Sequence, residues 1–377
     1  MSARVLIAGG GPGALEAALA LRDAAGERVE VEICAPGRDF VYRPFAIGEP
    51  YGASTALRYD LAELARRAGA GFRLAGVEAV DPEARQARTR DGERIPYDHL
   101  ILAVGARMLE AVPGAVTYWG AVDEPRVHAV VRDLREGRLR RLVFTAPGGV
   151  SWVLPLYELA LLAVAEAAKA GGEGARITVV TPEEAPLLVF GRRASEEAAA
   201  YLAERGVEVV AGTHPVRFQD GALSVAPGEP LAADAVVSLP RLEGRRVEGV
   251  PHDADGFVAI DRQCRVRGLE RAFAIGDVTS FPIKQGGIAT QQADAAAEAI
   301  AAELGCPIEP RPFDPVLRAV LWTGGEPRYL YGELSGGRGD TSAMSDSSPW
   351  PGSSGKIVGR HLSPFLDAAA KERARSR

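Results

Sequence analysis

The sequence predicts an α/β fold of two parallel-sheet domains, the first interrupted by the second, followed by a small C-terminal region. Three observations carry this. A glycine-rich turn, Ile7-Ala8-Gly9-Gly10-Gly11-Pro12-Gly13-Ala14-Leu15-Glu16, joins an apolar run to an Ala/Leu-rich segment near the start of the chain. A second strand–turn–helix–strand pattern covers residues 141–181. Turn formers at Val112-Pro113-Gly114 and Val250-Pro251-His252-Asp253 mark where the chain would cross between domains. The expected domains are 1–112 with 254–312, 113–253 between them, and 313–377 at the end. Both units are of the Rossmann-like, dinucleotide-binding type.

The first unit reads in order. Arg4 to Ala8 is a short buried strand, and the helix after the turn runs from about Pro12 to Ala25. Gly9 permits the tight turn, Gly11 lets the backbone approach a diphosphate, and the small Ala14 lets helix and strand pack closely. Pro12 suits a first helical turn, and the free N–H groups there, Gly13 included, favour an anion. A second strand, Val29 to Ala35, closes the βαβ unit. One position departs from the pattern. The acidic residue that binds a ribose should stand about 20 residues past the last small residue, and Ala35 stands there instead. The ribose must be held by backbone or by Arg38.

A second glycine site, Ala272-Phe273-Ala274-Ile275-Gly276-Asp277, suits the other end of the same ligand, and the pair together predicts FAD. Tyr97-Asp98-His99-Leu100-Ile101-Leu102-Ala103-Val104-Gly105 forms a third matching segment. On these residues the chain resembles the flavoproteins of the pyridine-nucleotide-disulfide oxidoreductase superfamily. The resemblance implies that Asp277 holds the ribityl chain and that Ala103 and Gly105 return to the cofactor. It also implies that Arg43-Pro44 contacts the flavin, that Val77 meets adenine, and that the helix after Asp277 points its N-terminus at the flavin ring. Gln285 and Gly287, at that helix start, are expected beside the cofactor. Lys284 lies near flavin or substrate on this reading, or is a solvated loop lysine.

Within the superfamily, Ile177-Thr178-Val179-Val180-Thr181-Pro182-Glu183 and Gly149-Val150-Ser151-Trp152-Val153-Leu154-Pro155-Leu156-Tyr157-Glu158 resemble segments of sulfide:quinone oxidoreductases, with type II NADH dehydrogenases as neighbours. The redox cysteine of that segment is Trp152 here. Cys34 and Cys264 read as packing residues and Cys306 as a surface or linker thiol, so thiol-based sulfide oxidation is not expected. Glu158 falls where relatives carry a helix glutamate facing the flavin or nicotinamide. It would relay protons to a reduced quinone, or act only as a capping or ion-paired glutamate. The turn at Pro147-Gly148-Gly149-Val150-Ser151-Trp152 has no Gly-x-Gly-x-x-Gly. It disfavours NAD(P)H at the second unit and leaves that alternative open.

Composition bounds the rest. The net charge of −6 argues against nucleic acid, and no metal cluster is expected. Met1-Ser2-Ala3-Arg4 runs straight into a strand, leaving no room for a signal peptide, and no apolar run suits a membrane span. Scarce cysteine fits a reducing cytoplasm. Ser335 to Gly355 reads as flexible. The tail from Lys356, with six basic and two acidic residues, offers Ile357, Val358, Leu362, Phe365 and Leu366 as one apolar face. That face would touch a membrane surface on the inner side, or dock on its own protein or fray, which is the preferred expectation. The leading functional expectation is an FAD-dependent oxidoreductase passing electrons from a small donor to a quinone-like acceptor. An NAD(P)H dehydrogenase with an atypical turn and a flavin-binding sensor without turnover are the alternatives. Oligomeric state is left unassigned.

Overall fold

The computed structural model describes residues 2–120, 125–169, 174–334, 341–350 and 355–375. Strand β1 (Ala3–Ala8) leads through the glycine turn into α1 (Pro12–Ala25), and β2 (Val29–Ala35) follows. β3 (Gly71–Leu74) and β4 (His99–Leu102) extend the same sheet. Val5, Leu6, Ile7 and Ala8 are all buried, the signature of a parallel strand covered on both faces. α1 covers one face. The other is covered by a three-stranded meander within residues 77–96, whose Val80, Ala87 and Ile95 pack on Leu6, Ala8 and Leu102.

The chain then builds a second sheet from β5 (Val116–Thr117), β6 (Arg141–Thr145), β7 (Arg176–Val180), β8 (Val207–Val210) and β9 (Ala235–Ser238), in the order β5-β9-β6-β7-β8. Its buried helix α2 (Leu154–Lys169) connects β6 to β7, and α3 (Arg192–Glu204) connects β7 to β8. The passages between the sheets run side by side as an antiparallel ribbon, Ala106–Leu109 against Arg241–Gly244. Only then does β10 (Ala272–Ala274) return to the first sheet, pairing with β4 and giving the order β10-β4-β1-β2-β3. The interrupted first domain is therefore real. α4 (Gly286–Glu303), rich in alanine, lies against α1 closely enough that a Cβ on Gly13 would meet Ala289 at 3.3 Å.

Beyond residue 312, β11 (Val316–Leu321), β12 (Arg328–Glu333) and β13 (Ala343–Ser345) form a small antiparallel sheet. The expected flexible stretch thus contains a strand, whose Met344 N–H donates to Glu197 at 2.7 Å. Residues 335–340 and 351–354 of that stretch lie outside the described residues.

The tail is also corrected. Helix α5 spans Leu362–Arg375, so Ile357 and Val358 precede it. Ile357, Leu362 and Leu366 are buried in the protein's own core, with Phe365 half-buried beside Arg67. The apolar face is spent on docking, and no described helix is long and apolar enough to cross a membrane. Glu16, fully buried on α1, accepts hydrogen bonds from the His361 and Leu362 N–H groups at 2.8 and 2.7 Å, capping α5. A Cβ on Gly359 would lie 2.5 Å from Glu16 Oε2. Gly359→Ala is expected to destabilise the chain by about 1–3 kcal/mol through this overpacking and to expose the tail to proteolysis before the rest. Parent-like melting and cleavage would show the cap to be dispensable.

Candidate functional site

A cavity of about 820 Å³ opens between the glycine turn, the crossover ribbon, the N-terminal ends of α2 and α4, and the start of the tail. Gly9, with φ +130°, sits where β1 passes β4: a Cβ there would lie 2.1 Å from the Ala103 carbonyl oxygen. A Cβ on Gly11 would meet nothing within 4 Å, so its backbone faces open space. Gly11 caps α1 without a side-chain bond, and Pro12 fills the first helical turn, leaving the helix N–H groups for an anion. α4 likewise begins at Gln285 with no side-chain cap. Two helix N-termini thus address one cavity.

Most residues expected at the cofactor line this wall: Gly9, Gly11, Pro12, Gly13, Ala35, Arg43, Pro44, Val77, Ala103, Gly105, Gly276, Asp277 and Gln285. Ala14 is buried behind it, as its packing role requires. Gly287 is buried inside α4 and does not line the cavity; Gly286 and Ala289 do. Arg38 is exposed and off the wall, whereas Asp39 is on it, ion-paired to Arg58 at 3.6 Å. Gln285 donates to the Arg318 carbonyl at 2.8 Å, and its own Oε1 is buried with no protein partner among the described residues.

Asp277 and Lys284 stand together on this wall. Burial raises the Asp277 carboxyl, and Lys284 and Arg43 oppose that. Lys284 is not a solvated loop lysine. It is half-buried, bonds the Thr279 carbonyl, and lies 3.9 Å from the centre of the Phe257 ring. Burial lowers its ammonium from the ordinary 10.5 to about 8, against the pull of Asp277 and Asp253. Between those values the unfolded chain holds a proton that the folded chain has lost, so stability gains with rising pH there. Lys284→Met is expected to flatten the rise in melting temperature between pH 8 and 10.5. An unchanged slope would place the titration elsewhere.

Glu158 is buried on α2, past its first turn. It accepts from the Trp322 N–H at 2.8 Å and from Lys356 Nζ, so it is ion-paired rather than a cap. Lys356, which sequence reasoning did not single out, is itself buried, with Nζ 4.6 Å from the Trp322 ring centre. Trp322 stacks on Phe45 at 5.4 Å. Burial pushes the Glu158 carboxyl up and the Lys356 ammonium down, bringing their proton affinities together. Both side chains line the cavity. The tail therefore supplies a wall of the site, and only the chain's return over Tyr42, whose hydroxyl accepts from Ile357 N–H at 2.6 Å, puts it there.

At the second unit, Trp152 lines the same cavity and packs on Phe190 at 5.7 Å. Tyr157 donates to Glu183 at 2.5 Å, and Thr181 donates to the same oxygen at 3.2 Å. Glu183, just past β7, holds the carboxylate that a dinucleotide unit offers to ribose, and it is already engaged. All three cysteines are free thiols; Cys34 and Cys264 are buried and Cys306 is half-buried. Burial pushes the Cys34 thiol to about 11 and Cys264 higher still.

Residues 3–299 match the family model of the pyridine nucleotide-disulphide oxidoreductases. The chain belongs to that family. Its members are FAD-dependent oxidoreductases, and FAD is the cofactor that this cavity fits: two uncapped helix N-termini, an open glycine backbone and the Asp277 carboxyl line one space. An NADH dehydrogenase-like protein of Mycobacterium tuberculosis is 29% identical over 245 residues, 60% of this chain and 59% of that protein. The ferredoxin–NAD(+) reductase component of the Burkholderia cepacia anthranilate 1,2-dioxygenase system is 30% identical over 234 residues, 59% of this chain and 52% of that one. The chain thus spans little more than half the length of these relatives. The sulfide:quinone oxidoreductase of Aquifex aeolicus shares the fold, with TM-score 0.79, 19% identity and coverage of 98% and 90%.

Proposed function

We propose that this flavoprotein passes electrons from a small donor to a quinone-like acceptor without a thiol relay. The observation that carries the reading is the buried Glu158–Lys356 pair on the cavity wall. An acceptor that takes up two electrons also needs protons, and this pair, whose proton affinities burial moves toward each other, can hold one and release it. FAD supplies the electron store when bound. Gly9 to Gly13 would seat its diphosphate, Asp277 its ribityl chain, and the N-terminus of α4 the ring end. Asp277 offers acceptor oxygens for sugar hydroxyls, while Lys284 opposes the burial that raises that carboxyl. Ala319, Val320 and Trp152 give the Glu158 end an apolar wall that excludes water from an acceptor ring. With no second sulfur beside Cys34 and no cysteine at Trp152, a sulfide donor would lack the thiol partner it needs. We place the protein in the cytoplasm, with no membrane role for the docked tail.

A second reading, NAD(P)H as donor, is favoured by what the two sequence relatives are called. The engaged Glu183 and the glycine-poor turn oppose it. Anaerobic mixing of the holoprotein with NADH, NADPH and sulfide in parallel, followed by a short-chain quinone, separates the readings. Prompt bleaching by a nicotinamide nucleotide would overturn the engaged-Glu183 argument. Flavin reduced chemically but not reoxidised by any quinone would remove the acceptor assignment and favour a sensor without turnover.

A further inference from the structure

The cofactor cavity carries positive charge beyond Arg43, the arginine already assigned to the cofactor. Arg43, Arg90 and Arg245 come from three distant parts of the chain and line the same wall. Arg107 on the crossover ribbon completes the group: Arg245 lies within electrostatic range of Arg107, Arg43 and Arg90, and with its own burial their repulsion lowers its guanidinium. Arg90 bonds Glu78 at 3.1 Å and Arg107 pairs with Glu243 at 3.6 Å. No ion pair joins Arg43 or Arg245 to a carboxylate among the described residues. Asp277, which Arg43 senses, is balanced by Lys284. Arg90 is paired to Glu78, and Arg107, off the wall, to Glu243, which leaves Arg43 and Arg245 as wall arginines with no carboxylate partner among the described residues.

Like charges gathered without counter-ions raise the energy of the empty site and fall in energy when an anion arrives. FAD carries two negative charges on its diphosphate, a counterpart for these two guanidinium groups. The first dinucleotide unit also lacks its ribose carboxylate, because Ala35 occupies that place. We propose that Arg90 and Arg245, with Arg43, form a cationic clamp on the FAD diphosphate. It works with the N-terminus of α1 and makes up for the missing ribose contact. This rests on the FAD reading. It assigns the cofactor's grip to residues on the meander and the ribbon, outside the glycine turn. Guanidinium groups suit the task because their planar fork meets phosphate oxygens in pairs.

The test uses the full chain stripped of flavin and titrated with FAD at several salt concentrations. Parent protein is expected to bind FAD more weakly as salt rises, since screening acts on exposed charge. The double variant Arg90→Gln/Arg245→Gln should bind about ten- to a hundredfold more weakly, with a shallower salt dependence. Arg90→Lys/Arg245→Lys should recover the salt slope and part of the affinity. Thermal unfolding of the flavin-free variants checks that the fold is kept, and Arg241→Gln, an exposed ribbon arginine off the wall, is the control. Parent-like affinity and salt slope in the folded double variant would overturn the clamp. A parent chain that takes up no FAD at any salt would instead remove the cofactor reading itself.

Discussion

Glu158→Gln slows electron delivery to the acceptor by about a hundredfold or more, the usual worth of a positioned proton donor. It also leaves Lys356 buried beside Trp322 with no counter-charge. Breaking a buried pair from one side costs about 3–5 kcal/mol, whereas replacing both partners with apolar groups is often neutral. The double variant Glu158→Gln/Lys356→Met is therefore expected to regain most of the parent's melting temperature. It should not regain turnover, because no titrating group is left at that end of the cavity. FAD absorbance per chain checks that the cofactor is retained. A double variant that melts and turns over like the parent would make the pair a packing device and end its proton role.

Gly9→Ala abolishes FAD binding. Its methyl would lie 2.1 Å from the Ala103 carbonyl oxygen, which is backbone, at a φ of +130° that side chains rarely adopt. Ala103 N–H donates to the Ala8 carbonyl at 2.8 Å, so the two strands cannot part without losing their pairing. A destabilisation of about 4 kcal/mol or more is expected, in the range reserved for such conflicts. Gly11→Ala is the informative contrast. Its methyl meets no atom within 4 Å and its φ of −87° is ordinary, so the fold survives. The methyl then projects toward the diphosphate and weakens FAD alone. Equal FAD affinity in Gly11→Ala and the parent would move the diphosphate away from this turn.

The legible part of the site was the part coded locally. The turn from Gly9 to Ala14 announced itself because strand, turn and helix needs fall on adjacent residues, and the same holds for Gly276-Asp277. The sequence leaves a residue's role open where that role depends on which face it takes. Gly287 sits one helical step from Gly286 yet turns into the packing between α4 and its own cap. Lys284 fitted a place near the flavin or a solvated loop, and Phe257 and Asp277 close around it to remove the solvated loop. The tail's apolar residues fitted a membrane surface or, as preferred from the sequence, a docked or frayed tail. Glu16 decided between them by capping α5.

By itself the sequence determined the two βαβ units, the interruption of one by the other and the FAD-type glycine sites. Each of these is written in residues close along the chain, or in a residue type at one position. Only the tertiary structure decided which charges meet. Lys356 reaches Glu158 across 198 residues, and Leu362 reaches Glu16 across 346. The arginines at 43, 90, 107 and 245 come together from both domains' connections. Such meetings depend on how two sheets and a tail close over one another. Electrostatics and burial act through space, and the chain order carries no local mark of them.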